Sequence, residues 1–334
     1  MIEVKNLGKK YGDFEAIHDV TFSAGRGEVL GLLGPNGAGK TSIMKMISGC
    51  SFPSSGFITI NGMLAEENPV AIKNRIGYLP EIIPLYPDMT AEEYLYFAAS
   101  ARLLAKETKR SLVDNALTAC GVEGNARRQR IETLSKGYKQ RLGLAQAILH
   151  DPDILILDEP TSGLDPNQII EMRALITELG KSKTVILSTH ILQEVEAVCS
   201  RVLILNKGSI AAQGTPDEIS RVRKSADNDD TWELHVKGGL PSDMLKSFRD
   251  AAAATGNEIK TITAENQNSG TVNDDAANVV KLTVTITGQS TKNGSGEIIF
   301  DWAVRHGYKI VSMNLKQASI EDIFVRLTQD TEQP

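Results

Sequence analysis

One stretch of sequence decides the fold of this chain: Gly34-Pro35-Asn36-Gly37-Ala38-Gly39-Lys40-Thr41-Ser42. It follows an apolar run at residues 29–33 and precedes a helix-like segment at residues 43–47. Its spacing matches the phosphate-binding loop G-x-x-x-x-G-K-[ST], in the strand, loop and helix context that this motif requires. Small residues let backbone N–H groups close around phosphate oxygens, Lys40 adds a cation, and the Thr41 hydroxyl is placed to bind Mg²⁺. The alternative, a glycine-rich turn without a ligand, leaves the Lys-Thr pair and its flanking elements unexplained.

The length and composition are those of an ordinary globular chain. Its 334 residues predict about two domains, each large enough to bury its own core. The net charge of −6 and the pI near 5.5 argue against a broadly basic surface that coats nucleic acid, so we expect no nucleic-acid partner. A local basic cluster at Arg127, Arg128 and Arg130 is more simply a solvated loop.

Cysteine usage and hydropathy predict a cytoplasmic protein. The three cysteines are far apart and lack metal-ligand spacing, which indicates a reducing compartment. The amino terminus has no apolar core of a signal peptide, and no apolar run approaches the roughly 18 residues needed to span a bilayer. We therefore expect any work at a membrane to need a partner.

A second group of polar residues follows two further apolar runs, at residues 154–157 and 184–187. Both runs are typical of buried parallel strands, and open α/β sheets place their ligands at the carboxyl ends of such strands. Asp158 can hold Mg²⁺ there, and Glu159 can orient or deprotonate a water. His190 alone among the five histidines follows a predicted core strand beside the other motifs, so it can reach a terminal phosphate. Two adjacent acids can also form a plain solvated turn; the phosphate loop in the same chain favours the catalytic interpretation.

Five more positions accompany these motifs. Tyr11, upstream of the phosphate loop, can stack an adenine ring, although a lone tyrosine is usually a packing residue. Glu81 stands at the edge of a proline-rich loop and is by itself a surface carboxylate. Ser135 is a natural N-cap, and Gly137 leaves the first turn of the following helix open to an oxyanion. Asp165 adds a carboxylate in the turn at residues 162–166.

The order of these motifs over residues 1–219 resembles that of the ATP-binding subunits of ABC transporters. The resemblance implies an α/β fold of the P-loop NTPase type, with a mixed sheet core, an antiparallel β part and an inserted helical subdomain at about residues 90–150. It implies ATP and Mg²⁺ as cofactors and an ATPase reaction that powers export through separate permease subunits. An ABC ATPase that transmits force to a cell-envelope complex without transport is the alternative.

The resemblance also implies a role for each motif residue. The phosphate loop would bind ATP, Tyr11 would stack the adenine, and His190 would contact the γ-phosphate. Thr41, Asp158 and Glu81 would organise Mg²⁺, and Glu159 would be the general base.

Two motifs depart from the usual family pattern, and both departures are similar to exporters of the ABC-2 kind, including the gliding-motility and multidrug groups. Glu81 stands where the family usually has Gln; it keeps an oxygen for the metal and adds negative charge. Lys136 and Tyr138 replace a Gly and the Gln of the usual Leu-Ser-Gly-Gly-Gln signature.

Partners follow from the same resemblance, because this family sandwiches two nucleotides between two head-to-tail subunits. Ser135 and Gly137 would bind the γ-phosphate of ATP held on the opposite protomer, and Asp165 would lie at the dimer seam. The loop around Leu85 and Tyr86 would dock the permease. The subunit would therefore sit at the inner face of the cell membrane, attached only through the permease.

The carboxyl-terminal part reads as a separate small domain. Residues 220–230 are the predicted linker, and residues 231–334 predict the order βαββαβ of an α+β ferredoxin-like unit, followed by a final helix that opens at Ser319. A ligand-sensing role and a docking or dimer-stabilising role are both open; we favour docking, because fold alone does not assign function.

Overall fold

A computed structural model describes residues 1–219, 229–254, 258–266, 279–287 and 295–315. Their contacts divide the chain into two compact units, one within residues 1–219 and one within residues 229–315. Most of the predicted linker, residues 220–228, and the predicted final helix at residue 319 lie outside the described residues. In the described parts, no helix combines the length and the apolar character that crossing a membrane requires.

The first unit alternates strands and helices, with a helical insertion after its sixth strand. Its elements are β1 (Ile2–Tyr11), β2 (Phe14–Ala24), β3 (Val29–Leu33), α1 (Lys40–Ile47), β4 (Ser55–Ile60), β5 (Met63–Leu64), α2 (Pro69–Arg75), β6 (Ile76–Leu79), α3 (Ala91–Ala101), α4 (Lys106–Ala119), α5 (Gly124–Arg128), a 3₁₀ turn (Ile131–Thr133), α6 (Lys136–Ile148), β7 (Ile154–Asp158), α7 (Pro166–Gly180), β8 (Thr184–Thr189), α8 (Leu192–Val198), β9 (Arg201–Asn206) and β10 (Ser209–Gly214).

Two sheets form this unit. The central sheet has the order β10-β9-β3-β8-β7-β6, in which β9, β3, β8, β7 and β6 run parallel and β10 is an antiparallel edge strand. The second sheet, β2-β1-β4-β5, is antiparallel. The predicted mixed core with an antiparallel part is confirmed.

The central strands explain the position of the motifs. Every residue of β3, β7 and β8 is buried, as expected for strands covered on both faces. Because β3, β8 and β7 are neighbours in one parallel sheet, their carboxyl ends meet at one edge. The phosphate loop, His190 and the Asp158-Glu159 pair follow or end these three strands, so they converge there.

Helices α3 to α6 form the helical insertion between β6 and β7. A capping box starts α3: Thr90 Oγ1 accepts a hydrogen bond from Glu93 N at 3.2 Å, and Glu93 Oε2 accepts one from Thr90 N at 2.9 Å. Arg127 pairs with Glu92 and Asp114, which ties α5 to α3 and α4.

The second unit confirms the predicted ferredoxin-like order. Its elements are β11 (Asp229–Lys237), α9 (Pro241–Ala254), β12 (Glu258–Asn266), β13 (Val279–Thr287), α10 (Ser295–His306) and β14 (Lys309–Leu315). The sheet order β12-β13-β11-β14 is antiparallel throughout, as expected for a ferredoxin-like βαββαβ unit. Trp302 and Phe248 pack edge to face at 5.1 Å in its own core.

All three cysteines are free thiols in different surroundings. Cys50 is exposed, whereas Cys120 and Cys199 are buried. Burial raises the pKa of both buried thiols to about 12. Neither buried thiol is therefore ionised near neutral pH.

Candidate functional site

A cleft of about 560 Å³ opens at the carboxyl edge of the central sheet, beside the β1–β2 hairpin. It is lined by Tyr11, Phe14, Ala16, Asn36, Gly37, Ala38, Gly39, Lys40, Thr41, Ser42, Glu81, Glu159, Ser162 and His190. The structure therefore brings most of the predicted site residues together in one place.

The phosphate loop is closed on itself around the Lys40 ammonium. Lys40 is buried, and its Nζ donates hydrogen bonds to Gly34 O at 2.8 Å and Pro35 O at 3.3 Å. Gly37 and Gly39 have φ angles of 81° and 104°, a backbone region that other residues rarely adopt. Helix α1 begins directly at Lys40, so its amino-terminal N–H groups face the cleft with a favourable dipole for anions.

Glu159 joins Lys40 and His190 into one charged cluster. Its Oε1 lies 3.6 Å from Lys40 Nζ, and its Oε2 lies 2.9 Å from His190 Nδ1. Burial raises the pKa of Glu159 above its ordinary value, and the Asp158 carboxylate acts in the same direction, while His190 and Lys40 oppose the shift. A carboxylate whose pKa is raised accepts a proton more readily than an exposed one.

The backbone at Glu159 is held in an unusual conformation. Its φ of 49° lies in the left-handed region, which costs free energy for a residue with a side chain. Two hydrogen bonds hold it there, from Glu159 N to Ser188 Oγ at 3.0 Å and to Ser188 O at 3.2 Å. This turn aims the Glu159 side chain back at the phosphate loop.

The two carboxylate oxygens of Asp158 differ in their hydrogen bonding. Its Oδ1 accepts hydrogen bonds from Ser188 Oγ at 2.5 Å and Thr41 Oγ1 at 3.4 Å. Its Oδ2 is buried and has no hydrogen-bond partner in the described part of the chain. A buried acceptor without a donor, next to a threonine hydroxyl, fits a divalent cation.

The protein supplies only part of a coordination shell. Over the described ranges, no three His, Cys, Asp or Glu side chains stand close enough together to hold a metal ion. Mg²⁺ usually takes one or two protein ligands and completes its shell with water and substrate phosphate. Thr41 and Asp158 therefore fit a cation that arrives with a phosphate ligand.

The aromatic residues at the mouth of the cleft are exposed. Tyr11 is 49% exposed and Phe14 is 68% exposed, and they face each other at the end of the β1–β2 hairpin. Lys9 Nζ lies 5.2 Å from the centre of the Tyr11 ring. Glu81 is an exposed carboxylate that also lines the cleft.

Ser135, Gly137 and Asp165 do not line this cleft. Ser135 caps α6 and accepts a hydrogen bond from Tyr138 N at 3.4 Å, as predicted for an N-cap. Asp165 caps α7, where its Oδ1 accepts a hydrogen bond from Gln168 N at 2.9 Å. Gly137 is buried below Gln168, whose carboxamide would lie 2.6 Å from an added Cβ. The starts of α6 and α7 thus form a separate surface, and the roles of these residues toward a nucleotide stay predictions.

Sequence reasoning missed several polar residues behind the site. Ser188, Thr161 and Glu194 are buried and hydrogen bonded to the motif residues or to one another. The available signal was the Ser-Thr pair that ends β8 directly before His190. Phe14 and Ser162, which line the cleft, were also missed.

Comparison with known proteins gives the family. The model of the family "ABC transporter" matches residues 17–162. The chain is 39% identical over 240 residues to the ABC transporter ATP-binding protein YxlF of Bacillus subtilis, covering 72% of this chain and 78% of that protein. It is 31% identical over 335 residues to the linearmycin resistance ATP-binding protein LnrL of Bacillus subtilis, covering 99% of each.

A solved structure titled as the ATP-binding subunit of an ABC transporter superimposes with a TM-score of 0.61 at 36% identity, covering 67% of this chain and 93% of that one. The cleft, its phosphate loop and these similarities all lead to one conclusion. The chain belongs to the ATP-binding proteins of ABC transporters, which bind and hydrolyse ATP.

Proposed function

We propose that this chain powers export of a substrate through separate membrane-spanning permease subunits, at the cytoplasmic face of the membrane. The similarity to LnrL supports export, because it runs over 99% of both chains and because removal of a compound from the cell is a direct way to produce resistance.

One observation carries the proposed chemistry: Lys40, Glu159 and His190 meet at the end of the phosphate loop. Phosphate oxygens entering the loop would attract the Lys40 ammonium away from Glu159. The freed carboxylate would then take a proton from the attacking water, helped by its raised pKa. His190, half-exposed at the cleft, would donate a hydrogen bond from its ring N–H to the γ-phosphate and stabilise the negative charge there in the transition state.

The proposed metal site uses Thr41, Asp158 and Glu81. Mg²⁺, when bound, would neutralise charge on the phosphates. Asp158 would offer its unpartnered Oδ2, and Thr41 its hydroxyl. Glu81 would approach from the exposed rim, where its extra negative charge repels a nucleotide that lacks a metal.

A second ATP-binding subunit would complete the site. Ser135, Gly137 and Asp165 lie outside the cleft of their own chain, at the starts of α6 and α7. That placement supports their action on a nucleotide held by a second copy or a homologous subunit. Lys136, which replaces a glycine of the usual signature, would bring a positive charge to that seam.

An exposed apolar surface supports a permease partner. Ile82 is 86% exposed in the loop after β6, and the exposed rings of Tyr86 and Phe97 contact each other edge to face at 5.2 Å. Apolar side chains that are clustered and exposed mark protein contact sites. Ile82 directly follows Glu81 in the chain, so a permease bound there would contact the segment that carries this cleft residue.

Replacing Lys40 by Ala tests the proposal. The variant removes the cation that the loop presents to phosphate, so we expect ATP turnover, measured as phosphate release, to fall to background. Lys45→Ala is the matched control, because Lys45 is an exposed lysine on the same helix, and it should keep wild-type turnover. Full turnover in the Lys40→Ala variant would exclude the proposed site.

Purification of the complex from membranes tests the export step. We expect a multispanning permease to copurify with the chain and to change its ATP turnover. A partner with a single span, or an extracytoplasmic one, would contradict export and support force transmission to a cell-envelope complex.

A further inference from the structure

Glu194 is a buried carboxylate behind the ATP site that the proposed chemistry does not use. It is 1% exposed, in the first turn of α8. Its Oε2 accepts a hydrogen bond from Thr189 Oγ1 at 2.6 Å, and its Oε1 accepts one from Thr161 Oγ1. Within the part of the chain that the structure describes, it forms no ion pair.

These two threonines belong to the segments that carry the reacting side chains. Thr189 is the last residue of β8 and directly precedes His190. Thr161 follows Glu159 by two residues. One carboxylate therefore holds both segments at once, on the side away from the cleft.

The Thr189 hydroxyl is fixed from both sides. It donates to Glu194 and accepts a hydrogen bond from Ile191 N at 3.0 Å. The backbone before and after His190 is thus held through one hydroxyl. On the other segment, Thr161 O accepts a hydrogen bond from Leu164 N at 3.2 Å, which closes the turn after Glu159.

Helix capping does not explain this arrangement. A Glu at the third helical position usually reaches back to the N-cap N–H. Here that N–H, of Ile191, is satisfied by Thr189, and both Glu194 oxygens accept from hydroxyls instead. A buried carboxylate without a cation is also a poor source of stability compared with an apolar side chain of similar size. Its hydrogen bonds instead fix geometry.

We propose that Glu194 is a positioning residue for ATP hydrolysis. By tying Thr161 and Thr189 to one rigid group, it holds Glu159 and His190 at their 2.9 Å separation. This inference rests on the roles proposed above for Glu159 and His190. A displacement of about 1 Å at a reacting group can lower a rate by about 100-fold. Loss of Glu194 therefore acts on turnover rather than on nucleotide binding.

The test replaces Glu194 by Met, which keeps the volume and removes both acceptors. We expect kcat for ATP to fall by about 10- to 100-fold, while KM and the nucleotide binding stoichiometry change by less than about 3-fold. Glu194→Gln keeps one acceptor oxygen and should recover part of kcat. Glu196→Met is the matched control, because Glu196 is exposed on the same helix, and its kcat should be unchanged.

A double-mutant comparison separates positioning from a general loss of folding. In a His190→Ala background, Glu194→Met should lower kcat less than it does alone, because the part of its effect that acts through His190 is already lost. Equal effects in both backgrounds would overturn the inference. If Glu194→Met does not fold, Thr189→Val removes one donor at constant shape, and wild-type kcat in that variant would overturn it.

Different results would contradict the proposed function and the role of Glu194. Turnover in the Lys40→Ala variant would contradict the site itself. Loss of turnover in Lys40→Ala and a reduced but measurable kcat in His190→Ala, together with wild-type kcat in folded Glu194→Met, would contradict only the role of Glu194.

Discussion

Replacing Glu159 by Gln removes one negative charge from the centre of the site and keeps the shape of the side chain. In the present structure its two oxygens lie 3.6 Å from Lys40 Nζ and 2.9 Å from His190 Nδ1. Two effects should follow. Hydrolysis should slow because the proton acceptor is lost, and nucleotide should bind more tightly because Lys40 no longer has a competing partner.

The expected changes in kcat and in nucleotide affinity can both be estimated. A positioned general base contributes about 10²- to 10⁴-fold to a rate, so kcat should fall by at least about 100-fold. At 3.6 Å, two unit charges attract by about 4 to 5 kcal/mol at an effective dielectric constant of about 20. Lys40 keeps its bonds to two loop carbonyls, so only part of this attraction passes to the nucleotide. We expect a gain of about 1.4 kcal/mol, or about 10-fold in affinity.

Three measurements check this prediction. Phosphate release gives kcat, equilibrium binding of a fluorescent ATP analogue gives affinity, and size exclusion with ATP gives the oligomeric state. The Glu159→Gln variant should bind ATP, hydrolyse it poorly and accumulate as a dimer. Glu67→Gln is the control, because it makes the same change at an exposed carboxylate. Wild-type kcat in Glu159→Gln, or only monomer in the presence of ATP, would refute the reasoning.

Two further predictions concern stability and domain organisation. Burial and the nearby Arg102 lower the pKa of His150 from 6.5 to about 4. Between these two pH values His150 is protonated in the unfolded chain but not in the folded chain. The free energy of unfolding therefore decreases as the pH drops through this range. Replacing His150 by Gln keeps a donor for Ile76 O and should reduce this loss by about 1 to 2 kcal/mol, allowing for solvent screening, in urea titrations at pH 7 and pH 4.5. A chain that ends at Ile219 should fold and retain ATP binding, measured by the same equilibrium titration, because residues 1–219 hold the whole cleft.

Each of these has its own control. His18→Gln makes the same substitution at a half-exposed histidine and is measured alongside for comparison. If the free energy of unfolding falls by the same amount between pH 7 and pH 4.5 in wild type and in His150→Gln, the first prediction is wrong. For the second, Lys40→Ala in the shortened chain gives the background, and a folded fragment that does not bind ATP would show that the domain boundary is misplaced.

The central sheet could be predicted because its strands are buried on both faces. Such strands appear in a sequence as short apolar runs, and β3, β7 and β8 all do. Their shared parallel direction then places the polar residues that follow them at one edge. Short-range sequence signals and this one topological rule were enough to bring Lys40, Glu159 and His190 together.

Strand β1 was harder, because its pairing with β2 shifts register between Val4 and Leu7 and again near Lys9. Each shift breaks the alternation of polar and apolar residues, which predicts a strand only as far as Leu7. The strand continues to Tyr11. The last four residues of β1 stay in the strand because they pair with β2, and not because their polarity alternates.

The Ser-Thr pair at the end of β8 is visible in the sequence, but the partners of the hydroxyl groups behind the site could not be predicted from it. Thr161 and Glu194 are 33 residues apart in the chain, and Asp158 and Ser188 are 30 apart. Serine and threonine occur in helices, strands and loops alike, so the local sequence does not predict which residues form these hydrogen-bonded pairs. Asp165 shows the opposite case, since its position at the start of a helix is enough to explain its capping bond to Gln168.

The unequal burial of the three thiols gives the native protein a single site for a spectroscopic label. Cys50 is exposed just after helix α1, and its backbone N–H donates to Lys45 O at 2.8 Å, so it moves with that helix. Cys120 and Cys199 are shielded from a maleimide dye as long as the chain is folded. A dye on Cys50 would therefore report nucleotide arrival at the other end of the helix in real time, and a second labelled position would signal unfolding.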